Sequence, residues 1–369
     1  MDDTTLRSAQ LLHLRAETLH VGEPVPAPLV LASMYHLPGD PAPGSATYGR
    51  PHNPTWESLE TALSHLEGAP CVAFPSGMAA IAAALFTLAQ PGERVLLPSD
   101  GYYATRSLAA AHLARFGVAV TQRPTRAMAK GGFEGISVVF LESPSNPGLE
   151  LCDIAAIVQA AHQAGARVVV DNTTMTPLLQ RPLDLGADVV VAADTKAPGG
   201  HSDVLMGHAT SRDGDLIAAL RDWRTLSGCI PGPFEAWLTL RGLETLEVRM
   251  TRMCETAAVL AARLAGHPKL RALCYPGLAD HPDHALAARQ MTAPGFLIGL
   301  TLAGRDAAER FIAACPLIQP ATSFGGVHTS AERRARWGDA VADGFVRLSV
   351  GIEPAAALIP AIETALDAA

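Results

Sequence analysis

A single lysine stands directly after an apolar run near the middle of the chain. The stretch VVVAADTKAPGGHSD covers residues 189–203, and its first five apolar residues predict a buried strand that ends shortly before Lys196. Lysine is rarely buried unless its amine has a partner or a function. A desolvated lysine near other cationic groups has its amine more readily available for covalent chemistry. Lys196 is therefore a candidate for covalent chemistry such as a Schiff base.

Polar residues follow other predicted strands at the same relative position. Asp171 closes the run RVVVD, the segment PSGMAA follows CVAF, Tyr102 lies in DGYYAT after RVLL, and Asn146 lies in SPSNP after SVVFL. In an open parallel sheet, ligands bind outside the carboxyl ends of the strands. We therefore expect these side chains to converge with Lys196 on one site.

Taken singly, these residues also have purely structural interpretations. Ser76 fits an ordinary N-cap, Asp171 a cap for the segment after it, Tyr102 a surface aromatic and Asn146 a turn residue. Taken together, they offer a helix N-terminus for a phosphate, a carboxylate for a cationic ring nitrogen, an aromatic ring for stacking and an amine. That combination specifies pyridoxal 5'-phosphate (PLP). The glycine fingerprint of dinucleotide sites and the P-loop lysine motif are absent from the sequence, and no metal spacing is evident.

The elements that must position these residues alternate between strands and helices. Short β-branched runs separated by Ala/Leu-rich segments of helical length indicate a parallel sheet covered on both faces. The predicted strands of this part are residues 71–74, 94–97, 118–121, 137–141, 167–171 and 188–193.

Three regions are predicted from the change in pattern along the chain. Residues 1–47 are rich in proline and glycine and predict an extended N-terminal arm, residues 48–234 predict the large domain, and residues 235–369 predict a smaller α+β domain. The last region begins with a long helical segment at about 235–265.

Composition limits the function classes. A net charge of -8 argues against a nucleic-acid or anionic-membrane partner, because no basic excess is present to neutralise phosphates. The densest basic cluster, ERRAR at 332–336, predicts a solvated helix face. Six scattered cysteines favour free thiols in a reducing compartment. The acidic N-terminus shows no signal peptide and the run at 79–89 is too short to span a bilayer, so we expect a cytoplasmic protein.

The chain resembles the Cys/Met-metabolism family of PLP-dependent enzymes, which includes the cystathionine γ-lyases, cystathionine γ-synthases, cystathionine β-lyases and methionine γ-lyases. The resemblance runs from residue 48 to residue 353 and is carried by motifs in family order: YGRxxNPT, SGMAAI, DGYYAT, ESPSNP, VVVDNT, DTKxxGGHSD, WLTLRGLETL and YPGLADHPDH. The segments HLPGDP and ATSFGGVHTSAERRARWG are most similar to actinobacterial-type cystathionine γ-lyases. The implied fold is α/β, the fold type I of PLP-dependent transferases, with a mainly parallel seven-stranded sheet.

The resemblance implies a role for each residue around the cofactor ring. Lys196 holds the cofactor and shuttles protons, and Asp171 pairs with the pyridine nitrogen. Tyr102 stacks on the ring and assists proton movement, while Asn146 reaches the ring hydroxyl.

It also implies how the phosphate is held and how the subunits assemble. Gly77 and Met78 give backbone donors to the phosphate, and Thr195 adds a hydroxyl. Tyr48 and Arg50 reach the phosphate of a neighbouring subunit. The implied assembly is a homotetramer, a dimer of dimers with shared active sites.

On the substrate side, the resemblance implies that Arg347 grips the carboxylate of an amino acid, with Ser323 and Asn146 beside it. The sequence departs from the family pattern at two positions. Ala193 replaces the serine two residues before the motif threonine, which removes one phosphate contact. Thr322 stands where cystathionine-cleaving relatives often carry glutamate, at a position that faces the distal part of the substrate.

The implied reaction is γ-elimination on a sulfur amino acid, with cystathionine γ-lyase activity first. γ-Replacement on an activated homoserine and methionine γ-lyase activity are the alternatives, because the same intermediate can accept a nucleophile. A cofactor-free binding or scaffold protein that kept the fold is the alternative from another class, since fold alone does not determine function.

Overall fold

The apolar runs of the first half form strands of one seven-stranded sheet in the computed structural model, which describes residues 3–16 and 18–369. The strands are β1 (Cys71–Phe74), β2 (Arg94–Pro98), β3 (Ala119–Arg123), β4 (Val138–Glu142), β5 (Arg167–Asp171), β6 (Val189–Ala192) and β7 (Gly207–Thr210). Their spatial order is β1-β7-β6-β5-β4-β2-β3. Strands β2 to β6 pair in parallel, whereas β7 is antiparallel to β1 and β6. The predicted α/β fold with a mainly parallel seven-stranded sheet is confirmed.

Helices cover both faces of this sheet. In chain order, the α-helices of the whole described structure, including those outside this sheet, are α1 (Asp3–Leu11), α2 (Pro54–Glu67), α3 (Gly77–Leu88), α4 (Tyr103–Ala111), α5 (Ile154–Gln163), α6 (Thr176–Leu179), α7 (Gly214–Ser227), α8 (Pro233–Leu243), α9 (Leu246–Leu264), α10 (His284–Gln290), α11 (Arg305–Ala314) and α12 (Ala355–Asp367). Successive residues of β5 pack in two separate apolar clusters, Val169 with α3 and α7 and Val168 with α5. This alternation explains why the strands are apolar throughout. Within the described ranges, no helix is long and apolar enough to cross a membrane.

A second sheet follows in the last third of the chain. Its strands are β8 (Ala272–Cys274), β9 (Leu297–Thr301), β10 (Gln319–Pro320), β11 (Ser330–Arg333) and β12 (Phe345–Ser349). The order is β10-β11-β12-β9-β8, and β12 is antiparallel to both of its neighbours. One apolar cluster contains Trp56 of α2 together with Phe296 and Leu348 of this region. The domain limits at 47 and 234 stay predictions.

The N-terminal region combines a helix with an irregular stretch. Helix α1 lies within the predicted arm, and its last residue, Leu11, is buried. From residue 18 to residue 53 the chain has turns and one isolated bridge between Met34 and Tyr48. Apolar side chains such as Val25 and Met34 are exposed there.

The basic cluster is not a solvated helix face, and that prediction is wrong. Arg333 ends β11, and Arg334 begins a 3₁₀ helix (Arg334–Trp337). Both arginines are buried, and this is possible because carboxylates compensate their charge. Arg333, for example, pairs with Glu309 at 2.8 Å. Of the three arginines, Arg336 is the exposed one.

Candidate active site

A cavity of about 530 Å³ lies at the carboxyl ends of the strands of the larger sheet, between them and β12. The residues predicted from the sequence that line it are Gly77, Met78, Tyr102, Asn146, Asp171, Thr195, Lys196, Thr322, Ser323 and Arg347. Tyr48 and Arg50 do not line the cavity of their own chain. Tyr48 is half exposed, and Arg50 donates a hydrogen bond to the carbonyl of Thr225 at 2.9 Å.

Lys196 lines this cavity. Its Nζ donates to Ser323 Oγ at 2.8 Å and lies 5.1 Å from the centre of the Phe324 ring. Burial, together with the positive charge of Arg347, lowers the pKa of Lys196 to about 8, although Asp171 acts in the opposite direction. About a tenth of the amine is therefore neutral at pH 7, far more than for an ordinary lysine, and the neutral form is the one that proton abstraction or covalent bonding requires.

One end of the cavity presents N–H groups to an anion. Helix α3 begins at Gly77, and Ser76 caps it by accepting from the Ala79 N–H at 3.1 Å. The N–H groups of a first helical turn have no partner inside the helix, so they point to a ligand. A side chain at Gly77 would put its Cβ 2.5 Å from the Cβ of Ala193, so only glycine allows this approach. Thr195 adds a hydroxyl, which in this structure is bonded to the backbone of Met206.

Two buried carboxylates lie side by side at the ends of β4 and β5. Glu142 and Asp171 are direct partners in the strand register, and burial raises the pKa of both. Glu142 accepts from the backbone N–H of Tyr102 at 2.6 Å and from that of Asn146 at 2.9 Å. Glu142 thereby holds in place the two loops that carry the predicted site residues Tyr102 and Asn146. Sequence reasoning gave Glu142 no role, although it opens the segment ESPSNP.

Asp171 faces the cavity with its charge only partly compensated. Its Oδ1 accepts from the Thr173 N–H at 3.0 Å, and the positive charge of Lys196 acts against the effect of burial. A cationic ring nitrogen in the cavity would supply the partner that a buried carboxylate needs.

The opposite wall carries a buried arginine. Arg347 donates to Asn146 Oδ1, to the Ser323 carbonyl at 3.0 Å and to Glu332 Oε2 at 3.2 Å. Burial lowers its pKa to about 10, so it stays charged at neutral pH. Ser323, which contacts both Lys196 and Arg347, has a positive φ of 75°. A non-glycine residue in this region is strained, and such strain clusters at functional sites.

These groups fit PLP by the chemistry of the donor set. The helix N-terminus and Thr195 suit a phosphate, Asp171 suits a pyridinium nitrogen, and Lys196 suits an aldehyde carbon. The cavity volume of about 530 Å³ also lies within the range of small-molecule sites.

Comparison with known proteins agrees with this chemistry. The sequence profile of the family described as "Cys/Met metabolism PLP-dependent enzyme" matches residues 8–367. A Streptomyces coelicolor protein named "Putative cystathionine gamma-lyase" is 47% identical over 350 residues, covering 93% of this chain and 88% of its own.

Two solved structures are similar over nearly the whole chain. A cystathionine gamma synthase from Xanthomonas oryzae pv. oryzae in complex with cystathionine has a TM-score of 0.93 and 34% identity, covering 98% of this chain and 97% of its own. A methionine gamma lyase from Micromonospora echinospora has a TM-score of 0.91 and 39% identity, covering 97% and 98%. Relatives with elimination names and relatives with replacement names thus both match over most of the chain.

Proposed function

The chain belongs to the Cys/Met metabolism family of PLP-dependent enzymes, and from that membership we propose that it catalyses γ-elimination on a sulfur amino acid. The proposed substrate is L-cystathionine, which with water gives cysteine, 2-oxobutanoate and ammonia. The observation that carries the proposal is the placement of Lys196, with a pKa of about 8, in one cavity with Asp171 and Arg347.

We propose that the residues of the cavity hold the cofactor as follows. Lys196 is its covalent anchor, and Asp171 pairs with the ring nitrogen. The N–H groups of Gly77 and Met78 receive the phosphate, and the Thr195 hydroxyl turns away from Met206 to add a donor. Their places on the cavity wall support these roles.

Two further side chains complete the proposed cofactor contacts. Tyr102 stacks on the ring, and Glu142, which accepts from its backbone N–H, keeps the loop in place. Asn146 reaches the ring hydroxyl through its amide nitrogen, because its Oδ1 is already bonded to Arg347.

When bound, the cofactor stores the electron pair that is left when the α-proton is removed. The chain supplies the proton carriers. With substrate and cofactor bound, the free amine of Lys196 would remove the α-proton, because its lowered pKa keeps it competent as a base. Tyr102 lines the same cavity, and its hydroxyl is proposed to help move the β-proton and to protonate the departing sulfur.

Arg347 is the proposed partner of the substrate carboxylate. Its guanidinium is oriented by Asn146 and Ser323 and stays charged, so it can bind a carboxylate through two N–H groups. Ser323 contacts both Arg347 and Lys196, so these two residues lie close together in the cavity.

γ-Replacement on an activated homoserine is the second candidate, and Thr322 is the observation that favours it. Thr322 lines the cavity and carries no charge for a distal ammonium group, so a less polar γ-substituent also fits. A thiol that bonds the γ-carbon, after the acyl group has left as its carboxylate, would then give a new amino acid. Methionine γ-lyase activity is favoured by the same observation.

A substrate panel distinguishes these reactions. We expect 2-oxobutanoate from cystathionine without any added nucleophile, measured beside O-acetyl-homoserine, O-succinyl-homoserine, methionine and cystine. The Lys196→Ala variant serves as the background control. A new amino acid that forms only when a thiol is added would replace the lyase proposal with a synthase.

We propose that the active site is completed by a second subunit, in a homotetramer built as a dimer of dimers. Tyr48 and Arg50 lie outside the cavity of their own chain, on the exposed stretch that precedes α2. Their proposed target is the phosphate end of the neighbouring cavity.

Subunit mixing tests the shared site. Lys196→Ala and Arg50→Ala variants are each expected to be inactive or strongly impaired, and mixing them should restore up to about a quarter of the wild-type activity through hybrid sites. Exchange is verified with differently tagged subunits. No recovery in verified hybrids would show that Arg50 acts within its own chain.

We also propose a reducing compartment, the cytoplasm. All six cysteines are free, and four of them are buried. Free thiols persist where glutathione and thioredoxin keep them reduced.

A further inference from the structure

A buried carboxylate that bonds three cavity-lining residues, Arg334, Trp337 and Arg347, accepts from four donors in all. Glu332 is 1% exposed, and its Oε2 accepts from Arg334 Nη1 at 2.8 Å and from Arg347 Nη2 at 3.2 Å. Its Oε1 accepts from Arg336 Nη2 at 3.1 Å and from the indole N–H of Trp337. Although burial acts to raise its pKa, the bonds from Arg334 and Trp337 lower it, so Glu332 is charged. Neither sequence motif nor family resemblance assigned it a role.

The contact with Arg347 follows from the strand register. Strand β11 is antiparallel to β12, and Glu332 is directly opposite Arg347. Side chains of directly opposite residues project from the same face of the sheet and lie close together. The carboxylate is therefore held beside this guanidinium by the backbone pairing itself.

Glu332 also allows two buried arginines to share one wall. The guanidinium groups of Arg334 and Arg347 both line the cavity and both bond the same oxygen of Glu332. Two guanidinium groups that bond the same oxygen lie close together, and their positive charges repel strongly away from bulk water. Asp339 pairs with Arg334 at 2.6 Å, which leaves Glu332 as the anionic partner of Arg347.

The remaining charge of the cluster suits one incoming anion. Its cations are Arg334, Arg336 and Arg347, and its anions are Glu332 and Asp339, so one positive charge is left over. A single carboxylate bound at Arg347 would make the cluster neutral.

We propose that Glu332 is a positioning residue for carboxylate recognition: it holds the guanidinium of Arg347 in the orientation that receives the α-carboxylate of an amino acid. The inference rests on the proposed function in one respect, the assignment of the α-carboxylate to Arg347. It does not depend on which γ-substituent leaves.

The test compares two ligands that differ by the carboxylate alone. L-Alanine and ethylamine are titrated into the holoenzyme, and binding is followed by the absorbance of the cofactor. In Glu332→Gln, which keeps the shape but loses the charge, we expect the preference for alanine over ethylamine to fall by about tenfold, the effect of losing one charge-assisted contact. A general loss of structure would lower the affinity for both ligands alike and leave the ratio of the two affinities unchanged.

Glu60→Gln is the matched control. Glu60 is also buried and bonded to an arginine, Arg224, and to the Ala73 N–H at 2.9 Å, but neither of these partners lines the cavity. Its replacement should lower the thermal midpoint while the ligand ratio stays at the wild-type value.

Glu332→Asp covers the case in which Glu332→Gln does not fold. The shorter side chain keeps the charge but withdraws it from the guanidinium, and its ratio should fall between those of wild type and Glu332→Gln. An unchanged ratio in a folded Glu332 variant would overturn the inference. A wild-type enzyme that binds alanine in preference to ethylamine but turns over none of the panel would refute the proposed reaction instead, and would leave Glu332 testable.

Discussion

Replacement of Lys196 by alanine is expected to lower kcat by at least about 10³-fold, within the range that a positioned general base contributes. The reason is the amine in the cavity, whose pKa of about 8 leaves it able to accept the α-proton. Alanine cannot take a proton or bond the cofactor. The measurement is the steady-state release of oxoacid from whichever substrate of the panel is the best one.

The lysine content of the chain makes the control simple. The sequence has three lysines, Lys130, Lys196 and Lys269. Lys269 lies at the surface, where its Nζ bonds the carbonyl of Ala369, so Lys269→Ala should keep full activity. Borohydride should fix the cofactor on the peptide that contains Lys196. A Lys196→Ala enzyme within tenfold of the wild-type kcat would rule out its role as base.

Replacement of Asp171 by asparagine is expected to leave cofactor binding largely intact but to lower kcat by about 10² to 10³-fold, the effect of removing one group that stabilises charge in the transition state. Asparagine keeps the size of the side chain and loses the negative charge. Without that charge the ring nitrogen is not held in its protonated form, and the ring stores the electron pair poorly. Cofactor content by absorbance and kcat by oxoacid release separate binding from catalysis.

Asp188→Asn is a matched control for this variant. Asp188 is a largely buried carboxylate just before β6, at the opposite edge of the same sheet, where it bonds Arg167 at 2.6 Å and the Val168 N–H at 2.7 Å. Its loss should lower stability without a comparable effect on kcat. Near-normal turnover by Asp171→Asn would mean that another group serves the ring nitrogen.

The sequence predicts which residues at the strand ends lie together in one cavity, for a physical reason. Asp171, Asn146 and Lys196 each lie within a few residues of the carboxyl end of a parallel strand, and such ends meet at one edge of a sheet. Apolar runs mark these strands in the sequence. The short strand β7 lacks that mark, because Gly207–Thr210 contains a glycine and a histidine and has no apolar run.

The substrate side is poorly visible in the sequence. Arg347 could be identified only by family resemblance, since it lies in a strand that is buried on both faces and shows no alternation. Glu332 and Arg334 belong to a charged segment that resembles a solvated helix. Their burial results from the pairing of β11 with β12, a long-range contact that local periodicity does not report.

The cavity also joins the two sheets of the protein. Lys196 follows β6 of the seven-stranded sheet, whereas Arg347 lies in β12 of the five-stranded sheet. A small molecule held by both bridges the sheets and binds only while both keep their native positions. Its binding free energy then adds to the free energy of unfolding by mass action. The concentration of that small molecule in the cell would thereby influence the lifetime of the protein against proteolysis, as well as the rate of the reaction.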